Sequence, residues 1–244
     1  MRRVLIPPEA VQGRRVTIDN PSTLHHLRHV LRLKAGDRLE CFDGCGRVYR
    51  GSIIRSTRRE FLIESEREST ASVPLLRITL AQSLIRPERF EWILQKATEL
   101  GAERILPTMT SRTTVRLSQG QGRLRIARWR RIVEAAATQC GRATLPLLED
   151  PQPFERVLGH LGGQEGLLLT LTEDGASLAE WLRWLQPPAA VMVLIGPEGD
   201  FSPEEVARAR RHGAHPVRLG SSILRSETAA LATLAILQHT VGVL

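Results

Sequence analysis

The sequence predicts an α/β protein with a mostly parallel sheet, preceded by a small β-rich, barrel-like module. Three observations carry this. The first ~70 residues hold short runs of β-branched and aromatic residues. Residues 69–74, Ser-Thr-Ala-Ser-Val-Pro, have the small, polar, proline-ended composition of a linker. Beyond them strand-like runs alternate with helix-like ones, the pattern of a parallel sheet covered by helices. The boundary is placed so that 1–72 form the front domain and 73–244 the larger one, and a chain of 244 residues can bury a core without disulfide staples.

In the front module, residues 15–19, 38–42, 48–55 and 60–64 read as strands, with Asp43-Gly44 as a hairpin turn. Residues 25–32 read as a helix, with Leu24, Leu27 and Leu31 at helical spacing. In the larger part the strands are 76–82, 104–107, 167–171, 191–195 and 216–219. Helix 87–100 carries one apolar stripe, Phe90, Ile93, Leu94, Ala97 and Leu100, and ends at Gly101. Ser177-x-x-Glu180 and Ser202-Pro203-Glu204-Glu205 read as capping boxes. The last helix, from Ser226 to about residue 242, is apolar almost all round, so it needs cover on every side from its own domain or from a second subunit.

Basic residues number 34 against 26 acidic ones, a net charge of +8, which favours a polyanionic partner, nucleic acid before anionic membrane. Lys34 and Lys96 are the only lysines. Arginine grips phosphate and stacks on bases, although a GC-rich genome produces the same bias. The longest apolar run, 189–195, is far below the ~20 residues that span a bilayer, and the amino-terminal apolar stretch is too short for a secretion signal. A cytoplasmic protein is expected. Cys41, Cys45 and Cys140 support neither a disulfide framework nor a four-ligand zinc site. Cys41 and Cys45 could meet across the hairpin, but buried or half-buried thiols are the simpler reading.

Strand 191–195 runs into Gly196-Pro197-Glu198-Gly199-Asp200 just before a capped helix. Open α/β sheets bind ligands in such crevices, outside the carboxyl ends of strands, although taken alone this pattern is more often a plain tight turn. A second loop, Gly220-Ser221-Ser222-Ile223-Leu224-Arg225, leads to Ser226, an expected helix N-cap flanked by the cation Arg225 and the anion Glu227. A structural Arg225–Glu227 pair is the bland alternative. There is no G-x-G-x-x-G, no G-K-[ST], no G-x-S-x-G and no histidine-rich metal spacing, so no metal is expected.

These loops, with their neighbours, resemble a known family. "QKATELGAERILP" (95–107), "QCGRATLP" (139–146), "LIGPEGDFSPEE" (194–205) and "LGSSILRSETAAL" (219–231) are similar, in this order, to the RsmE family of ribosomal RNA methyltransferases. "HHLRHVLRLKAGDRLECFDGCG" (25–46) is similar to that family's front module. The resemblance implies a PUA-like RNA-binding β-barrel followed by a SPOUT domain with a carboxy-terminal trefoil knot that binds S-adenosylmethionine and dimerises. It also implies methylation of N3 of a uridine in 16S rRNA of the small ribosomal subunit. Carried over by position, the cofactor loops are Leu171-Thr172-Glu173, Gly196-Pro197-Glu198-Gly199, and Leu219-Gly220-Ser221 through Ile223-Leu224, with Ile195, Leu219, Ile223 and Leu224 as apolar cover. Asp200 stands where glycine is common, Ser221-Ser222 where Pro-Arg is common, and Arg86-Pro87-Glu88 where Lys-Gly-Asp is common.

Uracil N3 is a poor nucleophile while protonated, so catalysis needs alignment and a group that favours the anionic base. Arg225 is the candidate cation, and Glu198 or Glu227 would orient it or accept the proton. For RNA, the run from Arg123 to Arg131 makes an amphipathic helix with Ile126, Trp129, Val133 and Ala136 on one side and Arg123, Arg128, Arg130 and Arg131 on the other, without matching acids nearby in sequence. Arg2, Arg3, Arg28 and Arg32 form a second contact on the front module. The rivals are a non-catalytic RNA-binding or ribosome-assembly protein, and a SPOUT methyltransferase for another RNA.

Overall fold

The computed structural model describes residues 2–115, 119–160, 167–183 and 189–243. The chain forms two compact units, one of residues 1–73 with 137–145, the other of residues 74–136 with 146–244.

The first unit is a six-stranded mixed sheet of β1 (Arg2–Leu5), β2 (Val11–Gln12), β3 (Arg15–Ile18), β4 (Arg38–Phe42), β5 (Arg47–Ser56) and β6 (Phe61–Thr70), in the order β1-β4-β5-β6-β3-β2. Only β1 and β4 pair in parallel. Alternate residues of these strands, among them Val4, Val16, Ile18, Leu39, Cys41, Ile53 and Ile63, meet Leu24 and Leu27 in one core. The helix begins four residues before the expected start. Asn20 caps α1 (Pro21–His25), accepting from the N–H groups of Ser22 and Thr23 at 3.0 and 3.1 Å, with Pro21 at the first helical position. A π-helical turn, His26–Val30, follows it.

Cys41 is buried and Cys45 exposed, so the two thiols do not meet. The carboxylate of Asp43 instead accepts from the N–H groups of Cys45 and Arg47 and shapes the hairpin turn. Residues 137–145 join this unit through Arg3. Its guanidinium donates to the carbonyls of Ala137 and Arg142, pairs with Glu40 at 2.7 Å and lies over the Phe42 ring.

The second unit is built on parallel strands: β7 (Leu76–Ser83), β8 (Arg104–Met109), β9 (Leu147–Leu148), β10 (Gln152–Pro153), β11 (Leu167–Ser177), β12 (Ala189–Ile195) and β13 (His215–Arg218). Their order is β10-β8-β7-β12-β11-β13, with β9 beside β8. The helices are α2 (Pro87–Glu99), α3 (Gln119–Cys140), α4 (Phe154–Gly159), α5 (Leu178–Leu182), α6 (Pro203–Arg211) and α7 (Ser226–Thr240). The α/β parallel sheet is thus present, and it reverses at β7, which has β8 on one side and β12 on the other. Such a reversal leaves a crevice at the carboxyl ends of the strands.

The stripe on α2 is buried at Phe90, Ile93, Leu94 and Ala97, and Gly101, at φ +83°, ends the helix. The capping box at Ser202 is complete: its hydroxyl accepts from the Glu205 N–H and the Glu205 carboxylate accepts from the Ser202 N–H. The one expected at Ser177 is absent. Ser177 still pairs with Arg218 as the last residue of β11, and its side chain makes no capping bond. Among the described residues, no helix is long and apolar enough to cross a membrane.

Candidate functional site

β11 carries the first irregularity of the site. Both Leu171 and Ala176 pair with Val217, so residues 172–175 bulge out of the strand. Gly175 is required there, because a Cβ would stand 2.5 Å from the Val217 nitrogen. Arg218 donates to the Gly175 carbonyl at 3.1 Å and holds the bulge down.

The second element is the turn after β12. The Asp200 N–H donates to the Pro197 carbonyl at 2.9 Å, and Asp200 sits at φ +61°. An aspartate tolerates this left-handed conformation when its short side chain bonds locally, and here its Oδ1 accepts from the Phe201 N–H at 2.7 Å. The turn is held from outside by Arg112, which donates to the Gly199 carbonyl at 2.6 Å. Ser111 next to it donates its N–H to the buried Glu205 carboxylate at 2.7 Å.

The third element is the loop between β13 and α7. Ser226 is its anchor, though not as the expected N-cap. That position belongs to Arg225, and Ser226 is the first residue of the helix. Its buried hydroxyl accepts from the Gln82 amide at 2.9 Å and donates to the Gly196 carbonyl at 2.6 Å. Gln82 pairs with Ile195 across β7 and β12, so one chain of hydrogen bonds ties the carboxyl ends of both strands to the start of α7.

These elements enclose a cavity of about 540 Å³, within the range of small-molecule sites. Leu171, Thr172, Gly196, Pro197, Glu198, Leu219, Gly220, Ser221, Ile223, Leu224 and Arg225 all line it, so the three loops read from the sequence meet at one place. Gly199 does not line it; its carbonyl is turned to Arg112. Glu227 is also off the wall, facing Arg89 of α2 at 3.6 Å. Ile195 is buried, whereas Ile223 is 78% exposed and Leu224 38%, so these two stand on the open rim of the cavity. Ser222, within the 219–224 loop, also lines it, and Asp200, Val217, Arg218, Ser226 and Ala229 are wall residues not singled out as cofactor contacts. Asp200, Ser226 and Ala229 lie within the recognised motifs, whereas the only signal for Val217 and Arg218 was their adjacency to one of them.

The cavity suits a ligand with both polar and apolar parts. Thr172 on its wall has a buried hydroxyl with no partner among the described residues, which a bound polar group would satisfy.

Of the residues read as RNA contacts, Arg2, Arg32, Arg123 and Arg131 are exposed. Arg3 is not, and its side chain is only 8% exposed within the partners described above. Burial lowers its pKa from the ordinary value, Glu40 opposing. Arg28 donates to the carbonyls of Thr57 and Arg58 and is half-buried over Phe61. Nor does the basic helix α3 lack acids: Glu91 of α2 pairs with Arg128 at 2.7 Å and Asp150 with Arg130 at 3.4 Å. Its apolar side is as expected, with Trp129, Val133 and Ala136 buried.

Residues 71–238 match the RNA methyltransferase domain family and residues 18–64 the RNA methyltransferase PUA domain family. The chain is 34% identical to the ribosomal RNA small subunit methyltransferase E of Synechocystis sp., over 96% of this chain and 76% of that one. It is 32% identical to the protein of the same name from Mycobacterium bovis, over 90% and 83%. Among solved structures, it resembles ribosomal RNA small subunit methyltransferase E of Neisseria gonorrhoeae bound to S-adenosyl methionine, with 30% identity and a TM-score of 0.87 over 98% and 97% of the two chains. A methyltransferase of Legionella pneumophila in complex with the same cofactor is 32% identical, with a TM-score of 0.85 over 97% and 96%.

Proposed function

The chain belongs to the ribosomal RNA small subunit methyltransferase E family, and from that premise we propose that it transfers a methyl group from S-adenosylmethionine to N3 of a uridine in 16S rRNA. The observation that carries this reading is the convergence of the 171–172, 196–200 and 219–225 loops on one cavity at the carboxyl ends of parallel strands. Bound there, the cofactor supplies an already electrophilic methyl group on its sulfonium. The loop backbone and the unpartnered Thr172 hydroxyl would hold it.

The protein's remaining task is to make uracil N3 nucleophilic and keep it aligned. Arg225, exposed at the end of the loop and on the cavity wall, is the cation that stabilises charge developing on the uracil. Glu198 shares that wall and is the group that orients Arg225 or takes the N3 proton. Glu227 is a positioning residue, since it faces Arg89. No metal enters this chemistry, because the methyl donor needs no Lewis acid.

The finer architecture follows from the same family membership. The first unit is read as a PUA-like barrel for RNA, and the second as a SPOUT domain whose carboxy-terminal chain passes through a trefoil knot. The sequence boundary of 1–72 and 73–244 divides these roles, except that residues 137–145 belong with the first unit. A homodimer forms through the second unit. Ile236 of α7 is 38% exposed, and Leu231, Ala232 and Ala235 beside it are only half-buried, which a second copy would cover. The enzyme works in the cytoplasm on the small ribosomal subunit, with exposed Arg123 and Arg131 of α3 as phosphate contacts.

Incubating the protein and labelled S-adenosylmethionine with small subunits lacking the modification tests the whole reading. Label should appear on N3 of a single uridine. Absence of cofactor binding by calorimetry, or label on ribose or on transfer RNA, overturns it.

A further inference from the structure

A second cleft, of about 540 Å³, lies on the first unit, far in chemistry from the cofactor cavity. Asp19, His25, Arg28, His29, Arg58 and Arg59 line it. We propose that it binds one unpaired nucleotide of the RNA substrate, with its phosphates on Arg58 and Arg59 and its base stacked on the imidazoles of His25 and His29. That the polymer is RNA rests on the methyltransferase reading; the cleft itself rests on the following geometry.

His25 and His29 stand one helical turn apart, and their rings lie 4.6 Å apart between centroids at a 36° tilt. Both side chains are exposed and both line the cleft, so the pair is open to a base stacked against it. Unpaired bases stack on such faces, whereas bases inside a duplex cannot reach them.

Opposite stands the turn between β5 and β6. Thr57 closes it, with its N–H donating to the Glu60 carbonyl at 2.9 Å and its hydroxyl accepting from the Arg59 and Glu60 N–H groups. Arg28 reaches across from the helix and donates to the carbonyls of Thr57 and Arg58. Its guanidinium is therefore spent on the turn, and Arg28 acts as a positioning residue that sets Arg58 and Arg59 beside the histidines.

Those two arginines are the free cations. Glu60, the nearest acid in sequence, pairs with Arg55 at 2.5 Å, and among the described residues no carboxylate pairs with Arg58 or Arg59. Asp19 is the only acid among the described residues that line the cleft, and it offers an acceptor to a base-edge N–H. A cleft with two unpaired guanidiniums, a stacked imidazole pair and one acceptor matches a nucleotide better than a bare anion.

The test is fluorescence anisotropy of the full chain with a labelled six-nucleotide oligouridylate, an abasic oligomer of equal charge and a duplex of equal length. The single strand should bind at least fivefold more tightly than the abasic oligomer. Arg58→Ala with Arg59→Ala should weaken all three ligands and reduce the salt slope for the single strand by roughly 1.4, the value for two phosphates. His25→Ala with His29→Ala should bring the single strand down to the abasic level and leave the duplex unchanged. Equal binding of abasic and intact strands overturns the base site, and unchanged binding by the arginine pair overturns the cleft as a phosphate site. Cofactor calorimetry on the same preparations reads the methyltransferase assignment separately. Its failure in the parent protein would sink that assignment and leave the cleft to the anisotropy.

Discussion

The Ser226 hydroxyl donates to the Gly196 carbonyl at 2.6 Å, joining residues 30 positions apart in the sequence. Because Gln82 donates to the Ser226 hydroxyl, β7, β12 and α7 meet at one buried atom of a residue that lines the candidate cofactor cavity. Ser226→Ala should leave the Gly196 carbonyl and the Gln82 amide short of a partner, at a cost of about 1–3 kcal/mol. Urea unfolding should show that loss, and calorimetry a weaker cofactor affinity. An unchanged midpoint would mean that a water replaces the hydroxyl without penalty.

Arg225→Ala should reduce methyl transfer roughly 100-fold or more, the scale of losing a group aimed at developing charge. Cofactor affinity should stay nearly the same, since the guanidinium is assigned to the base. Single-turnover methylation of unmodified small subunits measures the first effect and calorimetry the second. Near-normal turnover would remove Arg225 from the chemistry.

Gly175→Ala places a Cβ against the Val217 backbone, which has no flexible end to yield. Overpacking of this kind costs about 1–3 kcal/mol. The bulge at 172–175 should shift, so both the melting temperature and cofactor affinity should fall. A crystal structure of the variant with an unmoved bulge would contradict this account.

Asp200 balances a left-handed backbone against its bond to the Phe201 N–H. Asp200→Gly removes both the strain and the bond, so stability should change by less than about 1 kcal/mol. Asp200→Val keeps the strain, loses the bond and adds a β-branch, so it should be clearly less stable. Equal melting temperatures for the two variants would show that the turn does not depend on this φ.

Burial, with the Glu40 charge adding to it, pushes the Cys41 thiol from an ordinary value of 9.0 up to about 12. A thiol-specific reagent at pH 8 should therefore titrate Cys45 and Cys140 in the native protein, and Cys41 only after denaturation. The folded state holds a proton that the unfolded chain releases above its own pKa. This contribution to stability is whole below about pH 9 and is lost as the pH rises toward 12, by about 1.4 kcal/mol per pH unit at most. Cys41→Ser should flatten that alkaline limb.

Much of the site was legible because its parts are contiguous. A G-P-x-G turn and a capping box each satisfy their backbone within a few residues, so the sequence displays them. The π-helical turn after α1, the short strands β9 and β10 and the bulge in β11 left no such local mark. Each depends on what a distant segment offers it, as Gly175 does on Val217.

The amino-acid order alone determined most of the loop residues that line the candidate cavity, and that the chain carries an excess of arginine. The tertiary structure decided which of those charges are free. Arg3 is committed to a carbonyl 134 positions away, Arg28 to one 29 positions away, and Arg128 to Glu91, 37 positions away, whereas Arg58 and Arg59 face a cleft. A charge is neutralised by what stands within a few ångströms of it, and proximity of that kind is a property of the folded chain, invisible in the order of its residues.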